Sequence, residues 1–295
     1  MTSLPRAALR SALIPPLLAL SWGLNWPAVR IMLGVLPPFT LRLLGLGLGA
    51  LLLFALAAAR RIQLWPERDS WPFVLLGGVF TVAGFNVCTA FAQLATTTSR
   101  AAVLTFTMPM MVALLAWIVM GERPGKRGAW ALLLGGAGIA VLAQPVLGAP
   151  VLNVTGLLMP LAAAFAWAVG TVATKRWPPS GHRIVLTAWQ LGLGAVTTGL
   201  GAWLTGERLP GVWPDAVLMA LAFHVLIATA LAYVLWYRLL AEQSATVAAL
   251  TTLTVPVVGV LGAMALVGER PGAADWLGFA LVLAGAALVV LRPNR

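Results

Sequence analysis

Apolar residues run along this chain in blocks of about twenty, set apart by short breaks rich in charge, proline or glycine. The blocks fall near 11–31, 38–59, 71–94, 99–120 and 128–147, then near 151–174, 183–204, 214–238, 244–267 and 275–291. A helix of that length, rising about 1.5 Å per residue, crosses the roughly 30 Å of bilayer hydrocarbon. The runs are continuously apolar and lack the alternation over about ten residues that a barrel strand needs, so helices are expected. The expected fold class is an all-α integral membrane protein with ten transmembrane helices.

The ten blocks are not independent. Gly121-Glu122-Arg123-Pro124-Gly125 recurs as Gly268-Glu269-Arg270-Pro271-Gly272, an offset of 147 residues. The same offset pairs Pro109 with Pro256, Thr105 with Thr252, Thr107 with Thr254, Ala101-Ala102 with Ala248-Ala249, and Gly138 with Gly285. With two residues of slippage, Trp22 in the first span meets Trp167 in the sixth. The chain therefore divides into a first five-helix repeat, 1–148, and a second, 149–295, forming one transport-type domain. Five is odd, so the second copy enters the membrane from the opposite side. Inverted repeats of this kind are the plan of secondary transporters, with substrate bound near the midplane between the halves.

Charge adds orientation. Hydrophobic residues make up 61% of the 295-residue chain and charged residues only 9%, far below the roughly one quarter of soluble domains. The net charge of +11 sits in short clusters between apolar blocks, so it reads as a topology signal and not as a nucleic-acid surface. With the N-terminus in the cytoplasm, only Arg30, Arg100, Arg208 and Arg270 lie outside and Arg42 lies within the second span. The rest of the 19 basic residues lie inside, and both termini are expected to be cytoplasmic. The start, Arg6 and Arg10 before an apolar run, resembles a signal peptide but continues through Trp22 and Trp26, and is read as the first helix. Cys88, the single cysteine, excludes a disulfide within the chain.

The sequence resembles the drug/metabolite transporter superfamily, in its ten-helix EamA-type branch. The stretches that carry the likeness are Ser21-Trp22-Gly23-Leu24-Asn25, Leu41-Arg42 and Gly121-Glu122-Arg123-Pro124 in the first half. In the second half they are Ala232-Tyr233-Val234-Leu235-Trp236, Pro256 and Gly268-Glu269. The resemblance implies a basket of ten helices that exports small organic metabolites, often amino acids, across a bacterial inner membrane.

Candidate chemistry narrows the substrate. The eight acidic residues, Glu67, Asp69, Glu122, Glu207, Asp215, Glu242, Glu269 and Asp275, all fall in loops or at span ends. Exporters of lipophilic cations rely on a buried carboxylate, because an intramembrane charge is costly and is kept for function. Carriers of sugar phosphates need several buried cations. Only Arg42 lies inside a span, about 6 Å below its outer end, where it either snorkels to the headgroups or meets a substrate carboxylate.

Rings and neutral polar groups are more plentiful. Trp22, Asn25 and Trp26 share one side of the first span at spacings of three and four. Asn86, Phe106, Trp167, Gln190, His224 and Tyr233 add donors, acceptors and apolar walls from the third, fourth, sixth, seventh and eighth spans. This set suits a small zwitterion with an apolar side chain. The alternative for the tryptophans is an interfacial belt, which Trp65, Trp71, Trp177 and Trp213 fit by position. His224, near mid-span, is either a neutral packing group or a proton carrier. Pro109 and Pro256 each remove a mid-helix hydrogen bond, as gate hinges or as ordinary kinks. GERPG reads as a water-facing helix end and tight turn.

The function these features favour is a secondary exporter of neutral or aromatic amino acids, or similar small metabolites, working by alternating access without ion coupling. A proton-coupled drug or metabolite exporter is the alternative. An intramembrane enzyme is less favoured, since His182 and His224 do not form an acid-base cluster and HExxH, GxSxG and GKS/T signatures are absent. A structural subunit would have a dry centre. The expected partners are the small-molecule substrate and the lipid bilayer, with no nucleic acid, no cofactor and no metal; a monomer suffices for this plan.

Overall fold

The computed structural model describes residues 6–121, 123, 125–147, 153–242 and 245–290. Every regular element among them is helical, and ten crossings emerge. They are α1 (6–33), α2 (Pro38–Ala59), α3 (Arg68–Ala95), α4 (Thr98–Met120), α5 (Lys126–Leu147), α6 (Thr155–Arg176), α7 (Arg183–Leu204), α8 (215–242), α9 (Ala245–Val267) and α10 (Ala273–Val290). Seven of them, α2 to α8, carry described stretches long and apolar enough to cross a bilayer unaided. Shorter apolar stretches, Leu253–Val267 and Ala273–Leu288, lie in α9 and α10.

Large apolar side chains cover the outside of the bundle. Leu51, Ile118, Val196 and Met219 each expose more than six tenths of their surface. Water opposes such a coat, whereas lipid tails are its natural solvent.

Inversion is visible in the packing of α5 on α10. A methyl added at Gly138 would meet Gly278 O at 3.0 Å and Val282 N at 2.9 Å. One added at Gly285 would meet Ala131 O at 2.8 Å and Gly135 N at 3.0 Å. Shifting the first contact set by 147 residues produces the second, so the two helices run antiparallel about a pseudo-twofold axis. Absence of a Cβ at these two positions is what lets the backbones touch.

The ends of the bundle are tied by carboxylates. On the face opposite the chain termini, Glu207 from the α7–α8 loop accepts hydrogen bonds from Phe39 N, Thr40 N and Thr40 Oγ1 at the start of α2. Glu269 accepts from Thr98 N, Ser99 N and Ser99 Oγ at the start of α4, at 2.5, 2.9 and 2.6 Å. Each carboxylate satisfies orphan N–H groups and faces the positive end of a helix dipole. On the termini face, Glu67, Asp69 and Ser70 engage Ser180 between α6 and α7.

The GERPG motif is thereby sharpened. Gly121 and Gly268 both take a left-handed conformation, φ 71° and 73°, which closes the preceding helix and favours glycine. The second copy also reaches across the bundle through Glu269, a tertiary role the turn reading did not contain. In the first copy Glu122 and Pro124 lie outside the described residues.

Three interruptions shape the centre. An irregular turn at Leu24 divides α1 into Arg6–Gly23 and Asn25–Leu33, because Pro27 has no N–H to offer Gly23 O. Helix α4 breaks at Phe106 and Thr107, just ahead of Pro109. Helix α9, in contrast, runs through Pro256 without a break. The two repeat-related prolines therefore sit in unlike surroundings, Pro109 just beyond a break and Pro256 inside a continuous helix. What is symmetric is a pair of wide π-helical segments, Gly77–Gly84 in α3 and Phe223–Leu231 in α8, at equivalent repeat positions. Such segments are uncommon and cluster at functional sites.

Candidate functional site

The interruptions surround one central cavity enclosing about 1000 Å³ of space, its open mouth included. Helices α1, α2, α3, α4, α6, α7, α8 and α9 all contribute to its wall. Both repeats are thus represented, as a site between inverted halves requires.

Nine of the ten side chains singled out in the sequence line it: Trp22, Asn25, Trp26, Arg42, Asn86, Phe106, Trp167, His224 and Tyr233. Gln190 does not. It is buried and donates from Nε2 to Phe73 O at 3.1 Å, while its amide packs where a Cβ on Gly77 would otherwise stand. A mid-span amide can serve the cavity or a neighbouring helix, and here the α3–α7 contact uses it.

Arg42 is not a snorkelling side chain. It is only 2% exposed and donates from Nη2 to Thr89 Oγ1 at 3.1 Å, while its Nε has no partner. The salt bridge Arg100–Asp275 lies on the face opposite the termini, and no described carboxylate pairs with Arg42. Gly45, one helical turn further along α2, leaves room for the His224 ring. His224 Nδ1 lies 2.6 Å from Asn25 Oδ1, so this ring joins α8 to α1 and lies against α2.

The aromatic wall is continuous. Trp22 meets Tyr233 and Trp236 with centroids 6.4 and 5.5 Å away, and its Nε1 donates to Ala228 O in the wide segment of α8. Phe85 packs on Trp167 at 5.2 Å. Asn86 Nδ2 donates to Val82 O in the wide segment of α3. The two uncommon helical segments are thus each tied to a side chain that lines the cavity. Trp65, Trp71 and Trp189 form a separate edge-to-face cluster, with Trp65 well exposed, away from the cavity.

Sequence reasoning missed Thr89 and Gln93, which also line the cavity. Gln93 is 1% exposed and its Oε1 has no partner. The signal was present: Asn86, Thr89 and Gln93 recur at spacings of three and four, one polar stripe in an apolar span. Gln93 stands two residues from the end of α3, where a polar side chain is unremarkable until the tertiary fold buries it.

Comparison with known proteins gives the site its context. The EamA-like transporter family model matches residues 12–144 and again 154–291. An uncharacterized transporter of Bacillus subtilis, YvbV, is 25% identical over 98% of this chain and 93% of its own. A probable amino-acid metabolite efflux pump of Escherichia coli is 25% identical, covering 91% of both chains. The aromatic amino acid exporter YddG of Ancylobacter novellus is 26% identical over 89% of this chain and 91% of its own. A protein of known crystal structure superposes with a TM-score of 0.65 at 25% identity, covering 96% of this chain and 98% of that one. The chain belongs to the EamA-like transporter family and is a multi-pass membrane transporter.

Proposed function

We propose that this member of the EamA-like family exports neutral or aromatic amino acids, or closely similar metabolites, by alternating access and without ion coupling. The observation that carries the reading is the central cavity: walls of Trp22, Phe85, Phe106, Trp167 and Tyr233, with Asn25, Asn86 and Arg42 as polar groups. Such a site accepts a ring or aliphatic side chain beside a charged head. The printed names of two relatives, an amino-acid metabolite efflux pump and an aromatic amino acid exporter, point to the same class.

The placement of His224 favours passive movement over proton coupling. The ring is fixed between Asn25 and Gly45, and the described acidic side chains lie at helix ends or in loops, so the cavity offers no carboxylate relay. The role is transport with no chemical step. On this reading the protein sits in a bacterial inner membrane with both termini cytoplasmic, an orientation supported by the excess of Arg and Lys on that side of the spans. The two repeats, 1–148 and 149–295, act as one transport unit, which a monomer supplies.

Counterflow in proteoliposomes without any ion gradient tests the proposal. Vesicles loaded with excess unlabelled L-phenylalanine should accumulate external labelled L-phenylalanine, and Trp22→Ala or Trp167→Ala should reduce it. Absence of exchange across a panel of the natural amino acids sinks the reading.

A further inference from the structure

The cavity is chemically lopsided. Arg42, Thr89 and Gln93 stand together at the end furthest from the chain termini: Arg42 lies four residues into α2, and Gln93 two residues before α3 ends. Thr89 and Gln93 are one turn apart on the same face of α3, about 5–6 Å, and Thr89 Oγ1 takes the Arg42 guanidinium. Trp22, Tyr233 and the neighbouring Trp236 lie towards the other end.

Two buried polar atoms in this cluster have no partner in the protein. One is a donor, Arg42 Nε, on a side chain 2% exposed; the other is an acceptor, Gln93 Oε1, on a side chain 1% exposed. Both residues line the cavity. Buried polar groups in folded proteins are almost always satisfied, and a buried guanidinium without a counterion is costlier still. A free cationic donor, on a guanidinium held by Thr89, and a free neutral acceptor, on the residue one turn beyond Thr89, are the complement of a carboxylate beside an ammonium.

Resting on the amino-acid reading above, we infer that Arg42 and Gln93 form a headgroup subsite: Arg42 takes the α-carboxylate and Gln93 Oε1 the α-ammonium. The substrate side chain then points along the cavity towards Trp22, Trp167 and Tyr233. The two anchors are unequal. A carboxylate neutralises the buried charge of Arg42, whereas the ammonium meets only a neutral amide oxygen. The site therefore selects an acid first and an amino acid second, and it rejects amines.

The test uses the unaltered protein and L-phenylalanine with three analogues, read both by ligand-induced thermal stabilisation and by competition in counterflow. L-Phenylalaninamide and phenethylamine, which lack the carboxylate, should bind at least about tenfold more weakly than L-phenylalanine, since charge-assisted bonds are lost. 3-Phenylpropionate, which lacks only the ammonium, should lose about threefold to tenfold, the value of one bond to a neutral acceptor. In Gln93→Leu, 3-phenylpropionate and L-phenylalanine should bind alike, with the amide still rejected.

Equal binding of L-phenylalanine and its amide to the unaltered protein overturns the subsite and leaves amino-acid export standing. Stabilisation by L-phenylalanine and not by the amide, without counterflow, supports the subsite and breaks the amino-acid export reading. No response to any of the four compounds in either assay overturns both.

Discussion

Helix α3 and its repeat partner α8 share a course past the centre of the bundle and a π-helical segment at the same register, yet they face the cavity with different chemistry. At the 147-residue offset, Thr81 corresponds to Ala228, Asn86 to Tyr233, Thr89 to Trp236 and Gln93 to Leu240. In sequence, the amides and hydroxyls at these α3 positions become rings and aliphatic groups in α8, which brings Tyr233, together with His224 and Thr229, to the cavity wall. On the proposed function the backbone repeats because alternating access needs two equivalent halves that can exchange roles. On the same proposed function the lining need not repeat, because an amino acid is not symmetric: it has a charged head and a side chain. Since the copies are inverted, the C-terminal half of α3 and that of α8 point to opposite faces. One divergence thus gives the cavity a polar end and an aromatic end.

Breaking the polar end should have the largest effect. Arg42→Ala is expected to weaken L-phenylalanine binding by about 10-fold to 150-fold, the range for hydrogen bonds to charged groups, and Arg42→Lys to recover part of it. The ratio of L-phenylalanine to L-phenylalaninamide affinity, measured by thermal stabilisation, should fall towards one in Arg42→Ala. An unchanged ratio would show that the head group sits elsewhere.

Placing a polar stripe on the aromatic helix tests the other end. Tyr233→Asn copies Asn86 onto α8 and removes the ring that meets Trp22 edge-on. Affinity for L-phenylalanine should drop by about tenfold, and that for L-alanine should barely change, since aromatic contacts contribute about 0.5–1.5 kcal/mol beyond area burial. Equal losses for both substrates in counterflow competition would mean that Tyr233 supports the fold and does not read the side chain.

The clasps should matter less. Glu269→Gln weakens the charge-assisted capping of α4 and should lower stability by about 1 kcal/mol, read as a fall in unfolding temperature in detergent. Glu207→Gln should cost a similar amount at α2. The smallest effect belongs to Pro256→Ala. Because α9 already runs unbroken through Pro256, its replacement should change stability and exchange rate little, by about 0.5 kcal/mol or less. Pro109→Ala, at the break in α4, should alter the exchange rate more.

The fold was legible in the sequence where one physical rule acts alone. Bilayer thickness fixes span length, so the ten blocks matched the helices to within a few residues at most ends, and the 147-residue offset exposed the inversion before any contact was known. The site was legible in kind but not in arrangement. Trp22, Asn25 and His224 stand out as polar or aromatic groups deep in apolar runs, and all three line the cavity. Gln190 looked the same and went to a helix contact, because hydropathy carries no information about which neighbour a side chain meets. Arg42 and Gln93 show the opposite case: position left Arg42 open between the headgroups and a substrate and gave Gln93 no prominence, and only the packing of α2 and α3 encloses them. The wide segments of α3 and α8 leave no mark on hydropathy, since backbone hydrogen bonding changes there while residue type does not.

Alternating access through the cavity is the central claim, and side-specific labelling tests it most directly. A single cysteine replacing Met108, a cavity-lining residue, in a Cys88→Ala background would be exposed to a membrane-impermeant maleimide from each side in turn. The account predicts modification from both sides, slowed by L-phenylalanine and slower still in neither Pro256→Ala nor Glu207→Gln. Modification from one side only, unaffected by substrate, would contradict it.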